Sequence, residues 1–286
     1  MYRIGLSTCG AKPLDKQIFC GYKNAGISAM EISLPEGAHR TVCLPEVKRL
    51  SDEYGVELWS YHLPFSPFSE IDISSLESVK RTYSVRFLQE LIVGASEIGI
   101  NKFVVHPSAE PITERRRERL ESAKESLCAL AQTAYENNSV IAVENLPRTC
   151  LGRNSEEILE LVGSDERLRV CFDTNHLLGE DPADFIKKTG EKIITVHVSD
   201  YDFLNERHWL PGEGSLKWDE IVKALEKAGY GGVWMYEVSL ETPGTIHRDR
   251  KLIYRDFVKN ANEIFSGNKP TAFSVPVPGL KSWLET

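Results

Sequence analysis

The sequence predicts an α/β fold, a single (β/α)8 TIM barrel. Short apolar runs rich in Val and Ile recur eight times along the 286 residues, and a segment with helical periodicity follows each of them. Roughly 250 residues are typical of such a barrel. A doubly wound open sheet is the alternative. It is disfavoured because no GxGxxG motif follows the first apolar run and no linker-like change of composition divides the chain. We therefore expect one barrel over residues 1–265.

The predicted strands are nearly continuous apolar runs, as expected of strands that helices cover on both faces. In chain order they span residues 2–8, 28–33, 56–62, 102–106, 139–144, 169–173, 193–198 and 233–238. The segments between them place apolar residues at i, i+3, i+4 and i+7, as in Leu88, Leu91, Ile92 and Ala95. Two helix starts are marked by N-cap patterns: Asp181 precedes Pro182, and Asn154 stands three residues before Glu157.

Residues 266–286 show neither the apolar runs of the strands nor the periodicity of the helices, and they contain three prolines. We expect this segment to be a C-terminal extension that packs on the barrel or on a partner subunit. Trp283 and Leu284 are its predicted anchor.

The charge balance disfavours nucleic acid as the main partner. The chain has 34 Lys and Arg against 42 Asp and Glu, a formal net charge of −8, whereas proteins that coat nucleic acid concentrate Lys and Arg. No apolar stretch approaches the roughly 20 residues of a membrane span, and the N-terminus has the pattern of a strand rather than of a secretion leader. These features predict a cytoplasmic protein without a membrane partner, and a homo-oligomer is one arrangement that the sequence leaves open.

Six consecutive predicted strands end in a metal-ligand or acid–base side chain. These residues lie 24 to 44 positions apart, about one βα unit: His62, His106, Glu144, Asp173, His197 and Glu237. Because the active sites of TIM barrels lie at the carboxyl ends of the strands, we expect all six around one rim, with His176 and His208 in loops beside them. Burying so many ionisable groups is costly unless a metal or a substrate compensates them. Glu31, in the second strand, is left open between a substrate contact and a loop cap.

Four of these residues come from successive strands and form one arc of the rim: Glu144, Asp173, His197 and Glu237. Their formal charge of −3 offsets a divalent cation, and the oxygen-rich set favours Mn²⁺, Mg²⁺ or Co²⁺ while allowing Zn²⁺. We therefore expect one divalent metal ion. Two glutamates beside a Lewis acid suit proton abstraction next to a carbonyl, in which one carboxylate takes the proton and the other returns one.

An ordered set of motifs makes the chain resemble the xylose-isomerase-like barrels. That family contains sugar and sugar-phosphate isomerases and epimerases such as D-tagatose 3-epimerase, with endonuclease IV as a nuclease relative. The motifs fall within about residues 1–265 and are, in order, SYHLPF, VVHPS, AVENLP, CFDTNH, VHVSD, HWLPGEGSLKW and YEV. The resemblance implies a metal-dependent isomerase or epimerase that acts on a sugar or sugar phosphate through an enediolate.

The resemblance also implies roles for individual residues. Glu144 and Glu237 would serve as acid and base besides binding the metal, and His176 and Arg207 would contact sugar hydroxyls. We expect the other rim histidines to contact substrate as well, namely His62, His106 and His208.

The same rim matches the trinuclear zinc site of endonuclease IV. The matching ligands are His62, His106, Glu144, Asp173, His176, His197, Glu206, His208 and Glu237, with Glu206 where that family uses Asp. A zinc-dependent abasic-site nuclease is therefore an alternative, disfavoured by the net charge and by the lack of a basic, aromatic loop for DNA. A barrel that only binds a metal or small molecule is a further alternative, disfavoured by the complete acid/base pair.

Overall fold

The computed structural model describes residues 2–9 and 14–285, and it confirms the predicted barrel. Every barrel strand lies within a predicted apolar run. In chain order they are β1 (Arg3–Ser7), β2 (Ala29–Ser33), β3 (Glu57–His62), β4 (Lys102–Val105), β5 (Val140–Glu144), β6 (Arg169–Asp173), β7 (Ile193–His197) and β8 (Val233–Tyr236).

The eight strands are parallel and close into a ring. Strands adjacent in sequence are neighbours from β1 to β7, and β8 pairs with β1. Between β7 and β8, the N–H of Val198 donates to the Met235 carbonyl at 2.8 Å, and the N–H of Glu237 donates to the Val198 carbonyl at 3.1 Å. All carboxyl ends therefore point the same way, so the side chains that follow the strands share one rim.

Eight helices surround the ring. They are α1 (Lys16–Ala25), α2 (Leu44–Tyr54), α3 (Ser78–Ser96), α4 (Arg116–Glu136), α5 (Ser155–Val162), α6 (Pro182–Thr189), α7 (Trp218–Lys227) and α8 (Tyr254–Phe265). Both predicted helix starts are confirmed: the Asp181 side chain accepts the N–H of Ala183 at 2.9 Å, and that of Asn154 accepts the N–H of Glu157 at 3.0 Å. Within residues 2–9 and 14–285, no helix combines the length and the apolar character of a membrane span.

The barrel interior below the rim is apolar on β4, β5 and β6, and the rim itself is polar. Val104, Ala142 and Cys171 form one buried cluster inside the ring, on β4, β5 and β6. Side chains two positions apart on a strand point to the same face. The residues two positions further along these strands, His106, Glu144 and Asp173, therefore also face the barrel axis, at its open end.

A small two-stranded sheet lies outside the ring. It pairs β9 (Ile246–Arg248) with β10 (Ser274–Pro276) in antiparallel fashion, and so it joins the C-terminal extension to the loop that follows β8. Further on, the N–H of Trp283 donates to the carbonyl of Leu204 at 2.9 Å, in the loop after β7. The packing of the extension on a partner subunit stays a prediction.

Candidate active site

The side chains at the ends of β5 to β8 converge at the centre of the rim. Glu144, Asp173 and His197 close β5, β6 and β7, and Glu237 directly follows β8. Their ligand atoms all lie within 4.8 Å of one another, and all four residues are buried. The structure thus brings together the four residues that the sequence analysis assigned to one arc of the rim. We call them the four-residue cluster.

Glu144 lies within hydrogen-bond distance of three imidazoles. Its Oε1 lies 2.8 Å from His197 Nδ1, and its Oε2 lies 3.2 Å from His62 Nε2 and 3.1 Å from His106 Nε2. Burial alone would raise the pKa of this carboxyl, but the charge of His197 and the hydrogen bond from His106 outweigh burial and hold the pKa of Glu144 well below its usual value. Glu144 is therefore a charged carboxylate.

Two carboxylate oxygens of the cluster are buried without a hydrogen-bond partner among the described residues, Asp173 Oδ2 and Glu237 Oε2. Such oxygens are costly to bury. Burial, with a further contribution from the Glu237 and Glu144 carboxylates, raises the pKa of Asp173 to about 8. Three carboxylates and one imidazole, with two oxygens that lack partners, fit the donor set of a divalent cation.

Protonated imidazoles offset the carboxylates of the ion-free protein. Burial disfavours their charge, yet Glu144 raises the pKa of His62 to about 9, and Glu206 raises that of His208 to about 9. Asp173 and Glu206 together raise the pKa of His176 to about 10. At neutral pH all three histidines therefore carry positive charge beside the carboxylates.

Two of the other groups of possible metal ligands lie beside the cluster. The first, the His62 group, consists of His62, His106 and Glu144, and the second, the His176 group, of His176, Glu206 and His208. Within each group the ligand atoms lie within 4.8 Å of one another. The structure thus brings all nine residues that match the trinuclear ligand set to one rim.

Two cavities open beside the cluster. The larger, of about 400 Å³, lies at the ends of β1, β2, β3 and β8, and the smaller, of about 110 Å³, reaches Glu144, His106 and His176. Glu237 lines both cavities. Phe65 also lines both, and its ring stacks on that of His106 with centroids 4.1 Å apart, so it forms an apolar wall at the mouth.

Two arginines near the rim are held by carboxylates. Arg207 does not line either cavity. Its guanidinium instead donates hydrogen bonds to Asp202 at 2.9 Å and to a backbone carbonyl of the C-terminal extension at 3.1 Å. Its contact with substrate stays a prediction. Arg148 lines the smaller cavity, but it binds Glu110 at 2.7 Å and Glu206 at 2.8 Å, so its charge is already paired.

Sequence reasoning did not find the position of Glu31. This side chain is fully buried below the cluster, where its Oε2 lies 2.9 Å from His197 Nε2 and accepts the Ser60 hydroxyl at 2.8 Å. It lines neither cavity and caps no loop. The available signal was a glutamate inside the apolar run AMEIS, two positions after Ala29, on the face that points into the barrel.

Comparisons with known proteins agree with this architecture. Among curated proteins, the probable endonuclease 4 of Acholeplasma laidlawii is 26% identical over 205 residues, which cover 65% of this chain and 69% of that protein. The D-psicose 3-epimerase of Enterocloster bolteae is 31% identical over 150 residues, which cover 49% of this chain and 47% of that enzyme.

The crystal structure of a D-tagatose 3-epimerase-like protein superposes with a TM-score of 0.77 at 28% identity, covering 93% of this chain and 96% of that one. A family model described as xylose isomerase-like TIM barrel matches residues 22–257, which is well over half of the chain. The chain therefore belongs to the xylose isomerase-like TIM barrel family.

Proposed function

We propose that this protein is a metal-dependent isomerase or epimerase that moves a proton next to the carbonyl of a sugar or sugar phosphate. The observation that carries the proposal is the convergence of Glu144 and Glu237 on one buried cluster beside two cavities. The likeness to a D-psicose 3-epimerase and to a D-tagatose 3-epimerase-like protein supports a sugar as the substrate.

The four-residue cluster would hold the ion through its carboxylate oxygens and His197 Nδ1. A bound divalent cation supplies a Lewis acid that stabilises negative charge on the carbonyl oxygen of the substrate. The oxygen-rich donor set favours Mn²⁺, Mg²⁺ or Co²⁺, and Zn²⁺ is also accommodated.

The two glutamates differ in their freedom to act as a base. Glu237 Oε2 has no hydrogen-bond partner among the described residues and its residue lines both cavities, so it is placed to take a carbon-bound proton from a sugar held there. Glu144 reaches only the smaller cavity, and its oxygens contact imidazoles through which a proton can be supplied. Removal by one glutamate and return by the other inverts the carbon. His62, His106, His176 and His208 line the cavities and would bind the sugar hydroxyls.

Solvent exchange tests this proposal directly. We expect protein loaded with Mn²⁺, offered a panel of ketoses and ketose phosphates in deuterated water, to introduce deuterium beside the carbonyl of at least one of them, as followed by mass spectrometry. Exchange in no member of a broad panel would contradict the proposal. Cleavage of abasic-site DNA by the same preparation would then assign the protein to the nucleases, and inactivity in both assays would favour a barrel that only binds.

An abasic-site nuclease is the second candidate, because the His62 and His176 groups flank the cluster and a probable endonuclease 4 is among the relatives. The number of bound ions separates the two functions. For the isomerase we expect about one divalent ion per chain, and we expect Asp173→Ala to lose it. For the nuclease, ions in the four-residue cluster, the His62 group and the His176 group would amount to nearly three zinc ions per chain. Elemental analysis of protein purified without a chelator measures this ratio.

Ion affinity is expected to rise with pH between pH 6 and pH 8. The pKa of Asp173 is raised to about 8. Burial lowers the pKa of His197, but Glu31, Glu237 and Glu144 raise it well above its usual value. Both side chains therefore hold protons at neutral pH, and an ion must displace these protons. Below the pKa of each group, the need to displace its proton makes the ion affinity increase about tenfold for every unit by which the pH rises. Titration of Mn²⁺ between pH 6 and pH 8 measures the slope, and an affinity independent of pH would contradict the assignment of these two residues as ligands.

A further inference from the structure

A buried chain of hydrogen bonds crosses the barrel below the four-residue cluster. It begins at Ser60 on β3, whose hydroxyl donates to Glu31 Oε2 at 2.8 Å. It continues from Glu31 on β2 to His197 Nε2 on β7, at 2.9 Å. All three side chains are 0% exposed, so neither solvent nor a substrate in the cavities reaches them.

The two ring nitrogens of His197 face different partners. Nδ1 points into the cluster, 2.8 Å from Glu144 Oε1, 3.4 Å from Glu237 Oε2 and 3.7 Å from Asp173 Oδ2. Nε2 points away from the cluster to Glu31. A histidine that binds a metal uses an unprotonated nitrogen, and the hydrogen bond of the other nitrogen determines which one that is.

A buried glutamate here needs a reason. Much of the ring interior is apolar, and one Glu31 oxygen, Oε1, has no hydrogen-bond partner among the described residues. An apolar side chain would avoid that cost. A carboxylate at this position accepts the hydroxyl of Ser60 and the Nε2–H of His197, and an apolar side chain accepts neither.

We infer that Glu31 is a positioning residue, which accepts the Nε2–H of His197 and so reserves Nδ1 for the divalent ion. The inference rests on the proposed function only for the presence of that ion. Glu31 acts through His197 and touches neither the ion nor the substrate. Ser60 donates to the same carboxylate oxygen and so helps to hold it in place.

The affinity for Mn²⁺ tests this role without any substrate. Glu31→Leu is expected to weaken Mn²⁺ binding about 10–100-fold, as measured from the electron paramagnetic resonance signal of the free ion. Thr195→Val is the matched control. Thr195 lies on β7 two positions before His197 and is equally buried, and its hydroxyl accepts the Trp59 indole N–H at 3.0 Å. Its loss removes a buried hydrogen bond without touching Glu31, so the Mn²⁺ affinity is expected to stay unchanged.

The position of the imidazole proton provides a second readout. In wild-type protein loaded with Zn²⁺, ¹⁵N resonances are expected to show a proton on Nε2 of His197 and none on Nδ1. Glu31→Gln keeps an acceptor oxygen at the same place, so we expect the same protonation with a smaller loss of affinity than in Glu31→Leu. These two measurements also decide the question if Glu31→Leu does not fold.

Three results would overturn the role of Glu31: a proton on Nδ1 of His197 in the loaded wild type, wild-type affinity in Glu31→Leu, or an equal loss in Thr195→Val. A wild-type protein that binds no divalent ion would overturn both this role and the metal centre. Ion binding that depends on Glu31, combined with no sugar exchange, would overturn only the proposed reaction.

Discussion

Glu237→Gln is expected to lower the rate of carbon-bound proton exchange by about 10²–10⁴-fold while ion and sugar still bind. The amide fills the volume of the carboxylate but does not accept a proton at neutral pH. The backbone of Glu237 is fixed by its hydrogen bond to Val198 at 3.1 Å, so the variant side chain starts from the same place. The rate is measured as deuterium uptake at saturating sugar, and elemental analysis checks that the ion is retained.

Glu241→Gln is the matched control for this change. Glu241 lies in the same loop, four residues further on, and forms an exposed ion pair with Lys251 at 2.7 Å. Its neutralisation is expected to leave exchange unchanged. Exchange at the wild-type rate in Glu237→Gln, with a normal ion content, would show that another group removes the proton.

Arg248→Met is expected to lower the free energy of unfolding by about 3–5 kcal/mol. Arg248, on β9, pairs with Glu213 through Nε at 2.9 Å and a terminal nitrogen at 2.5 Å, and both side chains are 0% exposed. The variant leaves the Glu213 carboxylate buried without its counter-charge. The pair joins the loop after β7, which carries Glu206 and His208, to the loop after β8. Urea unfolding of protein stripped of divalent ions measures the loss.

A double variant separates the cost of an unpaired charge from the value of the pair. Arg248→Met combined with Glu213→Leu is expected to regain most of the lost stability, although the N–H of Leu210, which donates to Glu213 at 3.0 Å, then lacks its acceptor. Lys251→Met, which breaks the exposed pair with Glu241, is expected to leave stability unchanged. If the double variant is no more stable than Arg248→Met, the loss comes from packing rather than from charge.

The barrel was predictable because its strands are buried on both faces. The run Val140 to Val143 is apolar at every position, and the following Glu144 marks the rim whatever the surrounding contacts. The two-stranded sheet of β9 and β10 was not predicted. Its strands are three residues long, IHR and SVP, and their pairing joins residues 26 to 30 positions apart rather than following a local pattern.

The site was predictable to the extent that one residue per strand end defines it. The convergence of Glu144, Asp173, His197 and Glu237 follows from their places at the ends of successive strands of a closed barrel. The partners of Glu31 and Arg248 do not, because His197 is 166 positions from Glu31 and Glu213 is 35 positions from Arg248. His197 and Glu31 become neighbours only when the ring closes, and the periodicity of the sequence does not predict which side chains meet across the closed ring.

The pairing of β8 with β1 has a consequence for the order in which the protein is assembled during translation. Glu237, the last residue of the four-residue cluster, is synthesised after the other three, and it reaches them only when β8 has docked between β7 and β1. A nascent barrel of five or six strands therefore lacks part of the four-residue cluster. Once the ring closes, a free ion at one hundred times its dissociation constant would stabilise it by about 2.7 kcal/mol over every unfinished form. If the four-residue cluster holds the proposed ion, only chains that have completed the barrel would retain it.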